Sequence, residues 1–358
     1  MISKFAQNSE IKMLVEEKQI NTNQFKKILK NKGIFSLVRN AEELSNQIYP
    51  FFFGAKDIQL MKELMHSSTS YEKSSIIKLS PINEYETLDE FIDTINEEVQ
   101  QYRIKSLKYK IEDIHKDKEG NLHIRMSYDK RCKGKAELIK NQTRELNIKI
   151  EKRDKEKSLL VDIRQKDNSD LKEFDVFINS LNKIDGDSDL FNIEYLTLDK
   201  LLKENKIKFF DELIKYNHTN WKLEDIKGVD FKKDEIDVDD EQEEVVSSDD
   251  LAGINSAIFK GSSIRDSGIV KKFEEQGFYF TSMKFKYVYN TTVESFIIDV
   301  NFKGTDNIKI DILKTYEKDE NERDLITVLP VSEQEKIILA FQEASYNVYN
   351  KLINSQKK

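Results

Sequence analysis

Apolar and polar residues alternate one by one along two neighbouring stretches of this chain, residues 107–112 and 122–128. A β-strand turns successive side chains to opposite faces of a sheet, so a two-residue repeat predicts a strand with one buried face. The tetrapeptide at 118–121, Lys-Glu-Gly-Asn, has the composition of a tight turn. The sequence therefore predicts an antiparallel β-hairpin, which restricts this part of the chain to folds that contain a sheet.

The same alternation recurs later in the chain and predicts further strands at 145–151, 158–164, 278–289, 296–302 and 308–312. Helical spacing of apolar residues follows each group of strands. It predicts an amphipathic helix at 170–181 and a C-terminal helix that begins with a capping box of Ser332 and Glu335. Each group of strands therefore predicts an antiparallel sheet closed by a helix.

The first 75 residues predict helices. Apolar spacing places three short helices near 23–30, 41–48 and 56–65, with Asn40 as the N-cap of the second. A run of three phenylalanines at 51–53 lies between the second and third helices. We expect the three helices to pack on this cluster of aromatic rings.

A dense acidic block at 233–250 separates the two groups of strands. It contains ten Asp or Glu and one Lys, whereas the window 101–160 contains 18 Lys or Arg and 10 Asp or Glu. Low hydrophobicity and self-repulsion predict that the block is a solvated linker. Alternatively, the block folds back over the basic window and competes with an anionic ligand.

These patterns predict an α+β protein, in which an N-terminal helical module precedes two antiparallel sheet-plus-helix units joined by an acidic linker. A chain of 358 residues is long enough for each sheet unit to close its own core. The predicted parts are a helical module at 1–75, a sheet-plus-helix unit with a basic strand face at 76–185, a helical and acidic linker at 186–250, and a helix-turn-helix with an antiparallel sheet and a C-terminal helix at 251–358.

The chain contains one cysteine, Cys132, so no intramolecular disulfide can form. No window approaches 18 consecutive apolar residues, and the N-terminal residues lack the apolar segment of a signal peptide. These features predict a cytoplasmic protein without membrane contact. No cofactor or metal is predicted, because the sequence has no glycine-rich nucleotide motif and its four histidines show no metal-ligand spacing.

Basic residues occupy outward positions of the predicted strands. A sheet face that carries them can follow a phosphate backbone, which predicts contact with nucleic acid. The alternative is an ordinary solvent face, because lysine also protects sheets from edge-to-edge pairing. The candidate residues are Lys105, Lys108, Lys110, His123, Arg125 and Lys149 in the first group of strands, and Lys284 and Lys286 in the second.

The residues after the acidic block predict a helix-turn-helix. One helix is predicted from 251 to Gly261 and another at 268–276, directly before a strand. In that arrangement Arg265, Lys271 and Lys272 contact phosphates. A plain helical hairpin that leads into the sheet fits the same pattern.

Catalytic signatures are sparse. Asp299, Asp311 and Lys314 supply the two acids and the lysine that a metal-dependent nuclease needs, although the spacing from Asp311 to Lys314 is one residue too long. His218 and Trp221 share a polar loop, which predicts either a docking surface or a packed hinge. Cys132 has basic neighbours and no visible partner, so no reactive role is predicted for it.

We therefore predict a non-enzymatic binding subunit of a bacterial multi-protein system, which contacts nucleic acid or a partner protein through the basic strand face. Frequent Lys, Asn, Ile and Glu indicate an AT-rich genome, and a phage-defence or mobile-element setting fits such a chain. The alternatives are a metal-dependent nuclease and a structural adaptor that binds only protein, including a second copy of this chain.

Overall fold

The structure is a computed structural model. Cys132 and the part of the acidic block that follows Lys233 lie outside the residues that it describes. The described residues are 7–16, 20, 22–38, 40–66, 73–82, 84–85, 87–105, 108–131, 141–165, 168–183, 189–233, 254–292, 294–302, 307–318, 324–327 and 329–357.

Helices and strands alternate irregularly along the chain. Within the described residues the helices are α1 (Asn8–Glu16), α2 (Thr22–Asn31), α3 (Ala41–Ile48), α4 (Ala55–His66), α5 (Leu88–Lys105), α6 (Asn168–Leu181), α7 (Lys203–Ile214), α8 (Gly268–Glu275) and α9 (Val331–Gln356). The strands are β1 (Lys73–Pro81), β2 (Tyr109–Lys116), β3 (Leu122–Arg131), β4 (Asn141–Arg153), β5 (Ser158–Gln165), β6 (Phe191–Tyr195), β7 (Trp221–Lys233), β8 (Ser256–Lys260), β9 (Phe278–Tyr289), β10 (Ser295–Asn301), β11 (Lys309–Lys318) and β12 (Asp324–Thr327).

The strands belong to one sheet, with the order β2-β3-β4-β5-β1-β11-β10-β9-β7-β8; β12 pairs with β11, and β6 pairs with β1. The two predicted groups of strands meet where β1 pairs antiparallel with β11, with Ser74 opposite Ile310. The prediction of an α+β fold with a helical N-terminal part is confirmed.

Tertiary contacts divide the chain into two compact units. The first consists of Met1–Ser70, Ser106–Lys110 and Met126–Glu145, and the second consists of Tyr71–Lys105, Ile111–Arg125 and Leu146–Lys358. Residues within each unit pack mainly with one another. The predicted domain boundary at residue 75 lies inside β1, and the one at 250 lies outside the described residues.

Four helices, α1 to α4, form the helical part of the first unit, where the sequence predicts three. Asn40 caps α3 as predicted, because its Oδ1 accepts a hydrogen bond from the amide of Glu43 at 2.7 Å. Phe25 of α2 packs edge-to-face on Phe53, with ring centroids 5.7 Å apart. The aromatic run therefore enters the core of these helices through Phe53, while Phe52 is exposed.

Several helices and strands of the second unit differ from the prediction or were not predicted. β1 is buried on both faces over most of its length, so its sequence does not alternate. β7 carries three register irregularities against β9, and each one breaks the two-residue repeat. α5 was not predicted, and Lys105 is its last residue, so the placement of Lys105 on a strand is wrong.

The first helix of the predicted helix-turn-helix is also wrong, because Ser256–Lys260 forms β8. β8 pairs antiparallel with β7 and alternates between exposed Ile258 and half-buried Ala257 and Phe259. The second predicted helix is confirmed as α8, whose Ser267 accepts a hydrogen bond from the amide of Val270. A strand, a turn and a helix therefore replace the predicted motif.

α9 is the longest described helix, and it packs on the sheet through Ile337, Phe341 and Ala344. It begins at Val331 after Pro330, which places Ser332 inside the first turn, so the predicted capping box is wrong. Among the described helices, none combines the length and the apolar character that crossing a bilayer requires.

His218 and Trp221 pack into the core of the second unit. The ring of His218 stacks on Phe341 with centroids 4.5 Å apart, and Trp221 is 5% exposed. Burial lowers the pKa of His218 to about 4. The interpretation of these two residues as an exposed docking surface is therefore wrong.

Candidate functional site

The predicted basic residues lie in separate places. Lys108 and Lys110 are exposed residues of the first unit. His123, Arg125 and Lys149 line one cleft in the second unit. The remaining candidates belong to other parts of the second unit and are described after this cleft.

We name this cleft, formed by β2, β3, β4, β5 and the first turn of α9, the histidine cleft. It is open to solvent and has a volume of about 310 Å³. A cleft of this size is at the small end of ligand-binding sites in proteins. Its polar lining residues are Asp113, His115, His123, Arg125, Asn147, Lys149, Asp162, Arg164 and Glu335.

The turn between β2 and β3 sets the position of His123. Asp117 Oδ1 accepts hydrogen bonds from the amides of Glu119 and Asn121, both at 2.9 Å, and Gly120 adopts a φ of +82° that closes the turn. Asp117 Oδ2 lies 3.0 Å from Nε2 of His123. The same carboxylate therefore shapes the hairpin turn and orients an imidazole.

Burial acts to raise the pKa of Asp117, but hydrogen bonds outweigh it and hold the pKa well below its usual range. These bonds come from the His123 ring, the side chain and amide of Asn121 and the amide of Glu119. Asp117 therefore keeps its negative charge beside His123.

The two imidazole rings of the hairpin form a stacked pair. The rings of His115 and His123 are nearly parallel, at 5°, with centroids 5.1 Å apart. Asp113 Oδ2 lies 3.1 Å from Nδ1 of His115. Each imidazole therefore has its own carboxylate partner, and the side chains remain 57% and 33% exposed, respectively.

Arg164 forms the floor of the cleft. Its Nε donates to Asp162 Oδ2 at 2.7 Å, and Asp162 Oδ1 accepts from Ser74 Oγ at 2.7 Å and from Gln342 of α9 at 2.5 Å. This network locks the guanidinium against the sheet. Its Nη2 is buried and has no hydrogen-bond acceptor among the described residues, although Glu335 lies 3.8 Å away.

Arg125 and Lys149 complete the set of permanent cations. Lys149 Nζ contacts Glu151 Oε1 at 2.5 Å; burial acts to lower the pKa of Lys149, but this contact raises it above its usual range. Arg125 is exposed and forms no ion pair with any residue in the described ranges. Arg125 thus has donors available for a ligand, and Arg164 adds a second guanidinium to the lining of the cleft, with Nη2 buried and without a hydrogen-bond acceptor among the described residues.

The basic residues near α8 differ in their contacts. Arg265 donates to Asp211 Oδ1 at 2.8 Å through Nη2 and contacts Glu274 at 2.8 Å through Nη1. Its guanidinium also lies over the ring of Phe280. Lys271 and Lys272 are exposed on α8. Arg265 is therefore committed to contacts within the protein, unlike the two lysines predicted with it.

Lys284 and Lys286, predicted on the same basic face, are also paired. Lys284 Nζ lies 3.4 Å from Asp230, and Lys286 Nζ lies 2.7 Å from Glu224 and 3.4 Å from Asp324. The Lys286 side chain is 14% exposed. Most of the charge of these two lysines is therefore balanced by neighbouring carboxylates.

Lys284 belongs to a set of charged residues that we name the buried ionic layer: Lys73, Asp230, Lys284, Asp299, Lys309 and Asp311. Strand register places them on one face of the sheet, with Asp299 opposite both Asp311 and Lys284, and Lys73 opposite Asp311. Burial raises the pKa of Asp299 to about 6, and Asp311 adds to this shift. Burial also raises the pKa of Asp311.

Asp299, Asp311 and Lys314, the predicted nuclease residues, share this face. The register between β10 and β11 shifts after Ile297, so that Ile297 lies opposite Lys314 and Ile298 opposite Ile312. This bulge compensates for the extra residue between Asp311 and Lys314. In the described ranges, no three His, Cys, Asp or Glu side chains group closely enough to hold a metal ion.

A larger pocket, of about 480 Å³, lies beside β8. Its lining includes Phe231, Ile258, Tyr279 and Phe302, and no described His or Arg contributes to it. Asp199, Asp230 and Lys232 also line this pocket, so its described residues offer mixed apolar and charged contact without an imidazole or a guanidinium group. The histidine cleft is the stronger candidate because titratable and hydrogen-bonding groups converge there.

The sequence pattern predicted His123, Arg125 and Lys149 as site residues, but it did not predict His115, Arg164 or the aspartates that orient the histidines. A signal for His115 was present. Asp117 and Asn121 pair across the turn, and His115 and His123 are each two residues further along their strands. Arg164 left no such signal, because β5 reaches the cleft only through the order of strands in the sheet.

No protein-family model matches the chain, and no curated protein matches it significantly.

Proposed function

We propose that this protein binds a single-stranded nucleic acid through the histidine cleft, as a subunit of a bacterial multi-protein system. The observation that carries the proposal is the unused donor capacity of Arg125 and Arg164, two guanidinium groups in one cleft. Guanidinium groups match phosphate oxygens in geometry as well as charge. A buried donor without an acceptor costs free energy, so a side-chain shift that brought Nη2 of Arg164 to a phosphate oxygen would be favoured.

The arrangement of the cleft supports a single strand. Cations and histidines come from three neighbouring strands, β3, β4 and β5, and from β2 at the rim, so a phosphate backbone can run across the sheet. The volume of about 310 Å³ suits a short piece of backbone better than the width of a duplex. Exposed imidazole edges add further hydrogen-bond donors.

Binding of a fluorescent single-stranded RNA and a matching DNA, followed by anisotropy, tests this proposal. We expect binding at 50 mM salt that weakens roughly 20-fold at 200 mM, as for about three neutralised phosphates on a single strand. Arg125→Glu should weaken binding by about tenfold or more. Lys222→Ala is the control, because Lys222 is an exposed lysine on β7, far from the cleft in strand order.

Two results contradict the proposal. One is the absence of binding to either strand at low salt. The other is equal affinity for the wild type and Arg125→Glu, since binding would then occur elsewhere on the molecule.

As part of the same proposal, the protein acts in the cytoplasm together with another protein of its system or a second copy of itself. The single cysteine, Cys132, supports a reducing compartment. Mass measurement in solution, with and without the nucleic acid, separates a monomer from an assembly.

A metal-dependent nuclease is the second candidate function. The bulge between β10 and β11 supports it, because it brings Lys314 to the face that carries Asp299 and Asp311. Two carboxylates and a lysine on one face can hold a divalent ion and stabilise charge on a phosphate. Cleavage that requires Mg²⁺ or Mn²⁺ and disappears in Asp311→Asn supports this candidate; cleavage that survives in Asp311→Asn rejects it.

A further inference from the structure

The stacked imidazoles in the histidine cleft each retain one available nitrogen. Asp113 occupies Nδ1 of His115, and Asp117 occupies Nε2 of His123. Nε2 of His115 and Nδ1 of His123 therefore have no partner among the described residues. Phosphate binding alone requires neither a pair of imidazoles nor a carboxylate behind each of them.

We propose that His115 and His123 cleave RNA at the phosphodiester held in the cleft, by general acid–base catalysis. This inference rests on the proposed function, because the strand must first bind there. It adds an activity to the binding role, and it assigns RNA as the substrate class.

The geometry supports a shared reaction centre. The ring centroids are 5.1 Å apart, so the 2′-hydroxyl and the 5′-oxygen at one phosphodiester can each contact one imidazole. A carboxylate on the far nitrogen fixes the orientation of an imidazole and stabilises the imidazolium form during proton transfer. Side-chain exposures of 57% for His115 and 33% for His123 leave both rings accessible to a strand.

The reaction needs no reagent beyond the strand itself. One imidazole takes the proton from a ribose 2′-OH while the 2′-oxygen forms a bond to phosphorus. The bond between phosphorus and the 5′-oxygen breaks, and the other ring, as an imidazolium, protonates that oxygen. The products are a 2′,3′-cyclic phosphate and a 5′-OH end. The ring that acted as the base has gained one proton, and the ring that acted as the acid has lost one.

Nearby cations can stabilise the charge that develops on the phosphate. Arg164 lies at the floor with Nη2 unbonded, and Arg125 is exposed in the same cleft. Asp162, itself held by Gln342, fixes Nε of Arg164, so the guanidinium does not need to reorganise during the reaction. DNA binds to the same groups, but without a 2′-OH it cannot react.

The test uses the full chain with EDTA present and a short single-stranded RNA labelled at both ends. We expect the wild type to produce 2′,3′-cyclic phosphate ends, identified by mass. His115→Gln and His123→Gln should each slow cleavage by about a hundredfold or more. Rates are compared at saturating strand, with the affinity of each variant measured separately by anisotropy, and Lys222→Ala should bind and cleave as the wild type does.

The pH profile of the rate adds a readout that a structural role would not change. An acid and a base acting together predict a bell-shaped profile for the wild type. Each single His→Gln variant should lose one limb of the bell, which also assigns the acid and the base. Thermal unfolding of both variants checks that the hairpin still folds.

Three outcomes overturn the inference. In the first, the wild type binds the RNA and leaves it intact, and the binding proposal survives alone. In the second, the double variant His115→Gln/His123→Gln cleaves as fast as the wild type. In the third, the wild type binds neither the RNA nor a DNA strand of the same sequence, and the binding proposal fails as well.

Discussion

The histidine cleft and the buried ionic layer both place charged side chains on a face of the same sheet, but they differ in solvent access. In the cleft, the His115 side chain is 57% exposed and Arg125 is exposed as well. In the layer, Lys309 is 2% exposed and Asp230 is 2% exposed. A buried charge is costly unless neighbours compensate it, so the layer serves mainly the fold. The exposed charges remain available to a ligand.

The largest expected difference between these two regions concerns the loss of one cation. Lys284→Ala removes the partner of Asp230 at 3.4 Å and a positive charge that lowers the pKa of Asp299. Two buried carboxylates lose compensation, so the free energy of unfolding should fall by about 3 kcal/mol. Urea unfolding at neutral pH measures this change.

Arg125→Ala is the matched variant in the cleft. Because Arg125 is exposed, its removal should change the free energy of unfolding by less than about 0.5 kcal/mol. If Lys284→Ala and Arg125→Ala lower the free energy of unfolding equally, burial does not make the charges of the layer more important for stability than those of the cleft.

The second difference concerns pH. The folded-state pKa of Asp299 is raised from 3.8 to about 6, so the folded state binds this proton more tightly than the unfolded state does. The contribution of Asp299 to stability is therefore greatest below pH 4 and falls as the pH rises to about 6, by up to about 3 kcal/mol. Asp299→Asn should remove this dependence, which urea midpoints between pH 4 and 7 measure.

For Asp117, which contacts His123 of the cleft, we expect stability to change with pH in the opposite direction. Its folded-state pKa is lowered, so its contribution to stability is present at neutral pH and is lost as the pH falls below the ordinary range of an aspartate. A comparison of Asp299→Asn with Asp117→Asn over the same pH series should therefore give slopes of opposite sign. Parallel slopes would contradict the assigned shifts.

The smallest effect concerns the turn that supports the histidines. Asp117→Ala removes acceptors for two amides of the turn and should lower the free energy of unfolding by about 1 kcal/mol. Asp113→Ala is the control, since Asp113 lies on β2 and contacts His115 outside the turn. If Asp117→Ala lowers the free energy of unfolding no more than Asp113→Ala does, the turn does not depend on Asp117.

Much of the fold could be predicted from local patterns. Apolar and polar residues alternate strictly enough in β2, β3, β9 and β10 to predict these strands from the sequence. The spacing of apolar residues likewise predicts α6 and α8. β1 and β7 could not be read, because burial on both faces and bulges remove the alternation. β8 was mistaken for a helix, since its three apolar side chains are consecutive and show no two-residue alternation, while Ile254, Ala257 and Ile258 have helical spacing.

The candidate site was predictable only in part. The hairpin sequence supplies His123 and Arg125, and its register places His115 opposite His123. Asp162 and Arg164 enter the cleft from β5, and Gln342 reaches Asp162 from α9, about 180 residues further along the chain. Such contacts depend on strand order and helix packing, which no local period encodes.

The amino-acid sequence by itself determined the class of fold, the hairpin and the segregation of charge along the chain. These properties depend on neighbours in sequence, through side-chain period and turn chemistry. Tertiary structure decided which charges are available. Lys284 and Arg125 were both predicted as basic residues on strands. Lys284 forms an ion pair with Asp230, whereas Arg125 is exposed in the open cleft. Solvent access and partner distance arise only when distant strands come together, and they determine whether a charge stabilises the fold or binds a ligand.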